Sequence, residues 1–190
     1  MQEFTTYLRS FNIFTTQQLQ DITSLCERRH LVKGEFLVQE TQRCTAVAFI
    51  EKGIFRSFYT QADGTDMTYC FRFPNDFAAA YSSFITGGPS IESIQAITAA
   101  EVLLIKKRDI NQSLATNLEG ASFLRSIAEQ QFLELEHRVF GLQRLSAKER
   151  YQELLDKHPN YIQHIPLQYI ASYLGISARH LSRVRREISF

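Results

Sequence analysis

The chain has 190 residues, of which 44% are hydrophobic, so it can bury one large core or two smaller ones. The formal net charge is only +1, but residues 177–190 hold four arginines and one glutamate. The basic character is therefore local, as a phosphate-binding surface requires. No apolar run reaches the ~20 residues of a membrane span, and the N-terminus lacks the layout of a signal peptide. We expect a cytoplasmic protein with no membrane partner.

The cysteines and histidines do not form a recognisable ligand set. Cys26, Cys44 and Cys70 contain no C-x-x-C pair, which argues against a disulfide framework or a zinc or iron–sulfur site. His158 and His164 are a close pair, but no thiol or carboxylate stands beside them. We therefore expect free thiols, no metal and no cofactor. No residue stands in a nucleophile or acid–base motif either, which indicates that the chain is not an enzyme.

The first half of the chain reads as a helix followed by short strands. Thr15 and Gln18 have capping-box spacing and predict the start of a helix. From Leu31 to about Asp109 the sequence consists of short β-like runs separated by turn signals, and residues 62–64, Ala-Asp-Gly, predict a hairpin. Strands this short and closely spaced indicate an antiparallel β domain, either a barrel or a jelly roll (a cupin-like β-roll).

Residues 117–146 read as one long helix without proline. Its apolar surface is wider than one stripe, so the helix needs two neighbours. The β-roll can cover one face and a second copy of the helix the other, which predicts a twofold homodimer. An ordinary core helix is the alternative. Residues near heptad spacing mark the predicted dimer face: Leu124, Ala128, Leu135 and Leu142.

A second capping box, Ser146 with Glu149, opens an all-helical segment. The predicted fold class is α+β in three parts. An antiparallel β-roll with flanking helices covers residues 1–112, a dimerisation helix covers 113–145, and a helix-turn-helix domain covers 146–190.

The sequence IASYLGISARHLSRVRREI, at residues 170–188, fits a helix-turn-helix template. Ala171 supplies a small side chain where two helices cross, and Gly175 permits the positive φ of the turn. Ser177 can cap the second helix. These features predict a short helix, a tight turn and a second helix that ends the chain.

The second helix of this motif separates apolar from basic residues. Its buried face carries Leu181, Val184 and Ile188. Its other face carries arginines without an acidic partner, and arginine can donate two hydrogen bonds to guanine in the major groove. A hairpin with a solvated basic face is the alternative. The residues predicted to contact double-stranded DNA are Ser177, Arg179, His180, Ser182, Arg183 and Arg186.

The segments KGEFLVQE and AVAFIEKGIFRSFY, the long helix, and the segment IPLQYIASYLGISARHLSRVRREI together resemble the Crp/Fnr transcription regulators. The segments SAKERYQELLDKHP and YIASYLGIS are particularly similar to the short regulators common among Bacteroidetes. The family resemblance covers nearly the whole chain. It implies a cyclic-nucleotide-binding-like β-roll and a (winged-)helix-turn-helix that reads a pseudo-palindromic operator. The family pattern S-R-E-T-V-G-R keeps its last arginine here as Arg183, whereas Ala178 and Arg179 replace the first arginine and the glutamate. We therefore expect a different target sequence.

The resemblance also bears on the effector. Family members that bind cyclic nucleotides carry a phosphate cassette G-E-[LM]…R-[ST]-A, for which this chain has Ala79-Ala80 and Ser90-Ile91. Both charged partners are missing, so we expect no tight binding of cyclic AMP. The degenerate pocket is empty, holds another small-molecule effector, or survives as scaffold. Its predicted polar lining is Tyr81, Ser82, Ser83, Ser90 and Glu92.

Two further expectations complete the interpretation. The segment HPNYIQHIP is short for a two-stranded wing, so we expect the wing to be reduced or absent. The preferred function is a sequence-specific, dimeric, DNA-binding transcription regulator. The alternative is a ligand-sensing β-roll whose helical tail mediates protein interaction rather than DNA binding.

Overall fold

The computed structural model describes residues 1–188, and the end of the predicted helix-turn-helix domain, Ser189 and Phe190, lies outside that range. The described chain forms two compact units. One comprises Met1–Ser57 and Phe71–Ala128, and the other comprises Phe58–Cys70 and the chain from Glu129 onward. The predicted domain limits at residues 112 and 145 stay predictions.

Eight strands in the described chain form two four-stranded sheets, which confirms the predicted α+β fold with an antiparallel β-roll. The first sheet runs in the order β1 (Glu27–Leu31), β8 (Ala100–Lys106), β3 (Ala46–Lys52) and β6 (Phe77–Ala78), with antiparallel pairing throughout. The second runs in the order β2 (Phe36–Val38), β7 (Ser93–Ala96), β4 (Phe55–Thr60) and β5 (Asp66–Arg72).

Strands β3 and β8 are buried on both faces. Ala48 and Ile50 of β3 join Val102 of β8 in the core inside the roll. Phe49 and Leu103, on the alternate positions, belong to a second core outside it. This period of two follows from the pleat, which points successive side chains to opposite faces.

The helices α1 (Gln2–Arg9) and α2 (Thr16–Ser24) close the outer core with buried side chains: Phe4, Leu8, Leu19 and Ile22. The predicted capping box at the start of α2 is present, because the Gln18 amide donates to Thr15 Oγ1 at 3.2 Å and the Thr15 amide donates to Gln18 Oε1 at 2.8 Å. The sequence did not lead us to predict α1 or β1. Four of the five residues of β1 are polar, which suits an edge strand and hides the alternation.

The hairpin predicted at residues 62–64 joins β4 to β5. The Gln61 amide donates to the Thr65 carbonyl oxygen at 2.9 Å, and Gly64 has a φ of +84°. The Thr65 amide also donates to Asp63 Oδ1 at 2.9 Å. The turn chemistry is therefore as predicted, with glycine at the left-handed position.

Helical structure follows the last strand. After α3 (Tyr81–Thr86), located between β6 and β7, come α4 (Lys107–Asp109), a π-helical turn (Ile110–Leu114), α5 (Leu118–Arg144), α6 (Ala147–Lys157), a 3₁₀ turn (Ile162–His164), α7 (Leu167–Leu174) and α8 (Ala178–Ile188). Helix α5 confirms the predicted long helix, and the second capping box is present at Ser146 and Glu149. The segment between α6 and α7 contains the 3₁₀ turn and no strand, so no wing precedes α7.

None of the three cysteines is in a disulfide; Cys44 is buried, and Cys26 and Cys70 are half-buried. Burial raises the pKa of the Cys26 thiol to about 12 and raises that of Cys44 as well, so both stay protonated at neutral pH. No three His, Cys, Asp or Glu side chains between residues 1 and 188 are grouped to hold a metal ion. In the same range, no helix combines the length and apolarity that crossing a membrane requires.

Candidate nucleic-acid interface

The turn between α7 and α8 has the predicted chemistry. Gly175 ends α7 in the left-handed conformation with a φ of +69°. The Ile176 amide then donates to the Ala171 carbonyl oxygen at 3.0 Å, which turns the chain sharply out of α7. Ala171 is buried, as expected for a small residue at a helix crossing.

Helix α8 is fixed by its first residue and by one apolar face. Ser177 Oγ accepts a hydrogen bond from the His180 amide at 3.2 Å, which confirms the predicted N-cap. Leu181 and Val184 are buried, and Ile188 is half-buried. The buried face of α8 is therefore the one that the sequence predicts.

The opposite face of α8 carries exposed cations. Arg179, Arg183 and Arg186 are all exposed, and within residues 1–188 no carboxylate pairs with Arg179 or Arg183. Ser182 lies between them and donates to the Ala178 carbonyl oxygen at 2.9 Å. His180 is exposed at the flank of this basic face. We call the surface formed by Arg179, Ser182, Arg183 and Arg186 the basic face.

Two arginines outside the predicted set hold the end of α7. Arg138 of α5 donates to the Tyr173 carbonyl oxygen at 2.5 Å and stacks 3.9 Å from the centre of the Tyr173 ring. Arg150 of α6 donates to the carbonyl oxygens of Leu145 and, at 2.8 Å, of Leu174. The last carbonyls of a helix lack intrahelical donors and carry partial negative charge, so these cations satisfy and stabilise them. Burial lowers the pKa of Arg138 and raises that of Tyr173.

Ser172 of α7 binds the edge of β5. Its hydroxyl accepts from the Thr68 amide at 2.8 Å and donates to the Asp66 carbonyl oxygen at 3.0 Å. Strand β5 is the last of its sheet, so its outer backbone groups have no neighbouring strand. The Ser172 hydroxyl therefore hydrogen-bonds two backbone groups of β5, an amide and a carbonyl, that would otherwise pair only with a further strand. This contact, too, was absent from the sequence prediction.

The predicted dimer residues divide into two pairs. Leu124 and Ala128 are half-buried, whereas Leu135 and Leu142 are 57% and 44% exposed. Between Ala128 and Leu142, four more large apolar side chains are exposed: Phe132, Leu133, Val139 and Phe140. A stripe on α5 runs through the half-buried Ala128 and the exposed Phe132, Leu135, Val139 and Leu142, at the alternating spacing of four and three that defines a coiled-coil seam. We call it the α5 seam.

The residues predicted to line an effector pocket mainly satisfy local backbone groups. Ser83 Oγ donates to the Gly88 carbonyl oxygen at 2.6 Å. Ser90 Oγ donates to the Glu92 carbonyl oxygen at 2.7 Å and accepts from the Glu92 amide at 3.2 Å. The β-roll unit does contain a cavity of about 960 Å³, but other residues line it. The predicted pocket residues that are not among its lining are Tyr81, Ser82, Ser83, Ser90 and Glu92.

Residues 28–117 match the model of the cyclic nucleotide-binding domain. Comparison with the curated proteins gives no match.

Solved structures share the fold over most of the chain. FixK2 from Bradyrhizobium japonicum has a TM-score of 0.76 at 20% identity, over 86% of this chain and 84% of its own. A Eubacterium rectale protein assigned to the crp/fnr family of transcriptional regulators has 0.74 at 18%, over 97% and 88%. CLP, the c-di-GMP responsive global regulator of Xanthomonas campestris, has 0.71 at 14%, over 92% of each chain. At these identities the likeness establishes the fold.

The contact between Ser172 and β5 can be tested by removing one hydroxyl. Ser172→Ala should lower the free energy of unfolding by about 1–3 kcal/mol, because two backbone groups of β5 lose their partner. Chemical denaturation monitored by circular dichroism measures the change.

Ser182→Ala is the matched control, because its hydroxyl makes only a bond within α8. It should change the same free energy by no more than about 0.5 kcal/mol. Equal effects of the two substitutions would show that the Ser172 contact does not stabilise the protein.

Proposed function

We propose that this chain, which carries a cyclic nucleotide-binding domain and has the fold of the Crp/Fnr regulators, regulates transcription by binding a pseudo-palindromic DNA site as a homodimer. The observation that carries the proposal is the basic face of α8, exposed opposite the buried Leu181 and Val184. The described relatives CLP and the Eubacterium rectale protein support a regulatory role rather than an enzymatic one.

The basic face suits the major groove of DNA. Arg179 and Arg183 are exposed and unpaired with any carboxylate in residues 1–188, so each can donate two hydrogen bonds to O6 and N7 of a guanine. Arg186 and Ser182 lie on the same face. Ser177 and His180, near the start of α8, can reach a phosphate or a base edge as the helix end enters the groove.

The contacts behind α8 support precise recognition. Helix α7 is held at its end by Arg138 and Arg150 and at its side by Ser172. Because α7 and α8 share buried side chains, a fixed α7 limits the freedom of α8. Reading base edges requires such a rigid support, since a helix that shifts by about 1 Å loses the geometry of its bidentate contacts.

The α5 seam supplies the proposed dimer contact. Phe132 and Leu135 are 62% and 57% exposed, and fully burying side chains of this kind stabilises by about 1.5–3 kcal/mol each. Pairing two seams about a twofold axis buries the same residues from both copies. In such a dimer, two copies of α8 can occupy half-sites about 34 Å apart, one turn of DNA.

The proposal does not include cyclic AMP as the effector. At the cassette positions, Ala80 is buried, Ser90 is engaged with Glu92, and Ile91 is 73% exposed. None of these side chains can pair with a cyclic phosphate through a cation or position the ribose through a carboxylate.

The DNA-binding proposal is tested by selecting bound sequences from a random duplex library and then measuring the affinity for the selected site. Arg183→Ala should weaken binding by about tenfold or more, because a bidentate contact to guanine contributes about 1–3 kcal/mol. Arg183→Lys should keep most of the salt dependence yet discriminate less between bases at one position of each half-site. Fluorescence anisotropy over a range of salt concentrations measures both effects.

Lys33→Ala is the charge-matched control, because Lys33 is exposed on a turn of the β-roll. It should leave the affinity and the selected sequence unchanged. No binding to any duplex at low salt, or equal binding by wild type and Arg183→Ala, would contradict the proposal and favour a helical tail that mediates protein interaction.

The dimer is tested on the seam. Leu135→Glu should raise the dimer dissociation constant by at least about tenfold, because a charge replaces an apolar side chain twice in a twofold interface. Analytical ultracentrifugation measures the constant. Gln143→Glu adds the same charge to an exposed position outside the seam and should leave it unchanged. A wild-type monomer, or equal effects of the two variants, would refute this interface.

Isothermal titration calorimetry with cyclic AMP tests the missing phosphate site. We expect no saturable binding at micromolar concentrations, because the cassette positions supply no cation for the charge-assisted hydrogen bonds that a cyclic phosphate requires. Micromolar affinity with one molecule bound per chain would show that other groups of this protein replace the family cassette.

A further inference from the structure

We propose that the cavity of the β-roll unit is a binding site for an amphipathic carboxylate, a medium-chain fatty acid in the simplest case. The lining residues are all in the range 27–111, and the inference rests on this unit alone. It does not depend on DNA binding, so either proposal can fail without the other.

The inner part of the cavity is apolar and is kept open by small side chains. Ala48 of β3 and Ala78 of β6 are both buried there, beside Val38 and Ile94. Leu37 and Leu104 complete the apolar walls. Larger residues on β3 and β6 would fill the space, whereas alanines leave about 960 Å³, within the range of about 300–1,000 Å³ typical of small-molecule sites.

The mouth of the cavity is basic. It is lined by five cations, Arg29, Arg43, Lys106, Lys107 and Arg108, and by one carboxylate, that of Glu27. Three of the cations have acidic partners, at 2.7 Å for Arg29 with Glu35, 3.2 Å for Lys106 with Glu27 and 3.1 Å for Arg108 with Asp109.

The remaining two cations, Arg43 and Lys107, have no carboxylate partner within residues 1–188. Arg43 is exposed, and Lys107 Nζ donates to the Ile85 carbonyl oxygen at 3.0 Å and lies 5.4 Å from the centre of the Phe84 ring. A ligand anion at the mouth would therefore gain two cations whose charge nothing in this part of the chain neutralises.

The distribution of polar groups selects the ligand class. Gln42, Thr45 and Asn111 are exposed lining residues, at the mouth with the cations, whereas the inner lining is aliphatic. A nucleobase bound against the aliphatic inner lining would have hydrogen-bonding groups without partners, and each such group costs about 1–3 kcal/mol of binding free energy. An alkyl chain has no such groups. A carboxylate at the mouth with an alkyl chain inside meets both halves of the lining.

Calorimetry on the full chain with octanoate, octanamide and acetate tests the proposal. Octanoate should bind once per chain. Octanamide, which has the same chain but no charge, should bind about tenfold more weakly or worse, because charge-assisted hydrogen bonds are lost. Acetate, which lacks the chain, should show no saturable binding. Equal binding of octanoate and octanamide, or no binding of octanoate, would overturn the proposal.

Two variants assign the binding to this cavity. Arg43→Gln with Lys107→Gln should weaken octanoate binding by about tenfold or more without unfolding the protein, since neither cation has an acidic partner among the described residues. The control pair Lys33→Gln with Lys52→Gln removes the same charge from exposed residues outside the lining and should leave binding unchanged. Ala78→Leu should abolish binding by filling the floor. Octanoate binding that the Arg43 and Lys107 pair does not weaken would place the ligand elsewhere and refute the site.

Discussion

The burial of β3 and β8 on both faces is the constraint on which the β-roll unit depends. Alternate residues must serve two different cores, so Phe49 and Leu103 are committed to the outer core while Ala48 and Val102 face the interior. The outer core needs large side chains, because α1, α2 and the start of α5 pack there. The interior takes alanines at several positions. The cavity in this unit is therefore a consequence of how side-chain volume is divided between two faces of the same strands.

Local signals in the sequence were sufficient for much of the fold. The capping boxes at Thr15 and Ser146, the glycine turn at Gly175 and the proline-free α5 depend on residues within one or two helical turns of each other. The strand β1 and the helix α1 escaped prediction for a local reason. A polar edge strand shows little alternation, and an eight-residue helix has room for only two apolar turns.

The candidate sites also differ in whether their residues are close together in the sequence or far apart. The basic face and the α5 seam are helical patterns, so spacing alone could indicate most of their residues. The contacts of Ser172 with Asp66 and Thr68 join residues more than 100 positions apart, and no spacing rule connects them. The cavity mouth likewise depends on contacts between distant parts of the sequence. The antiparallel pairing of β3 with β8 places Ala46 opposite Lys106, so lining residues about 60 positions apart become neighbours. The predicted pocket residues followed a family motif that this chain has lost.

The bond between Ser172 and β5 bears on how such a protein can change over evolutionary time. The hairpin at residues 58–70 belongs to the same compact unit as the C-terminal helices, although the residues directly before and after it in the sequence belong to the β-roll unit. If the C-terminal segment were exchanged for that of a relative, the new α7 would meet the edge of β5 with a different residue in place of Ser172. The Asp66 and Thr68 backbone groups, which lie more than 100 positions earlier in the chain, would then keep or lose their hydroxyl partner. Recombination at a single point in α5 would separate these two partners, and the new combination would lack the contact wherever the incoming helix has no hydroxyl at this position.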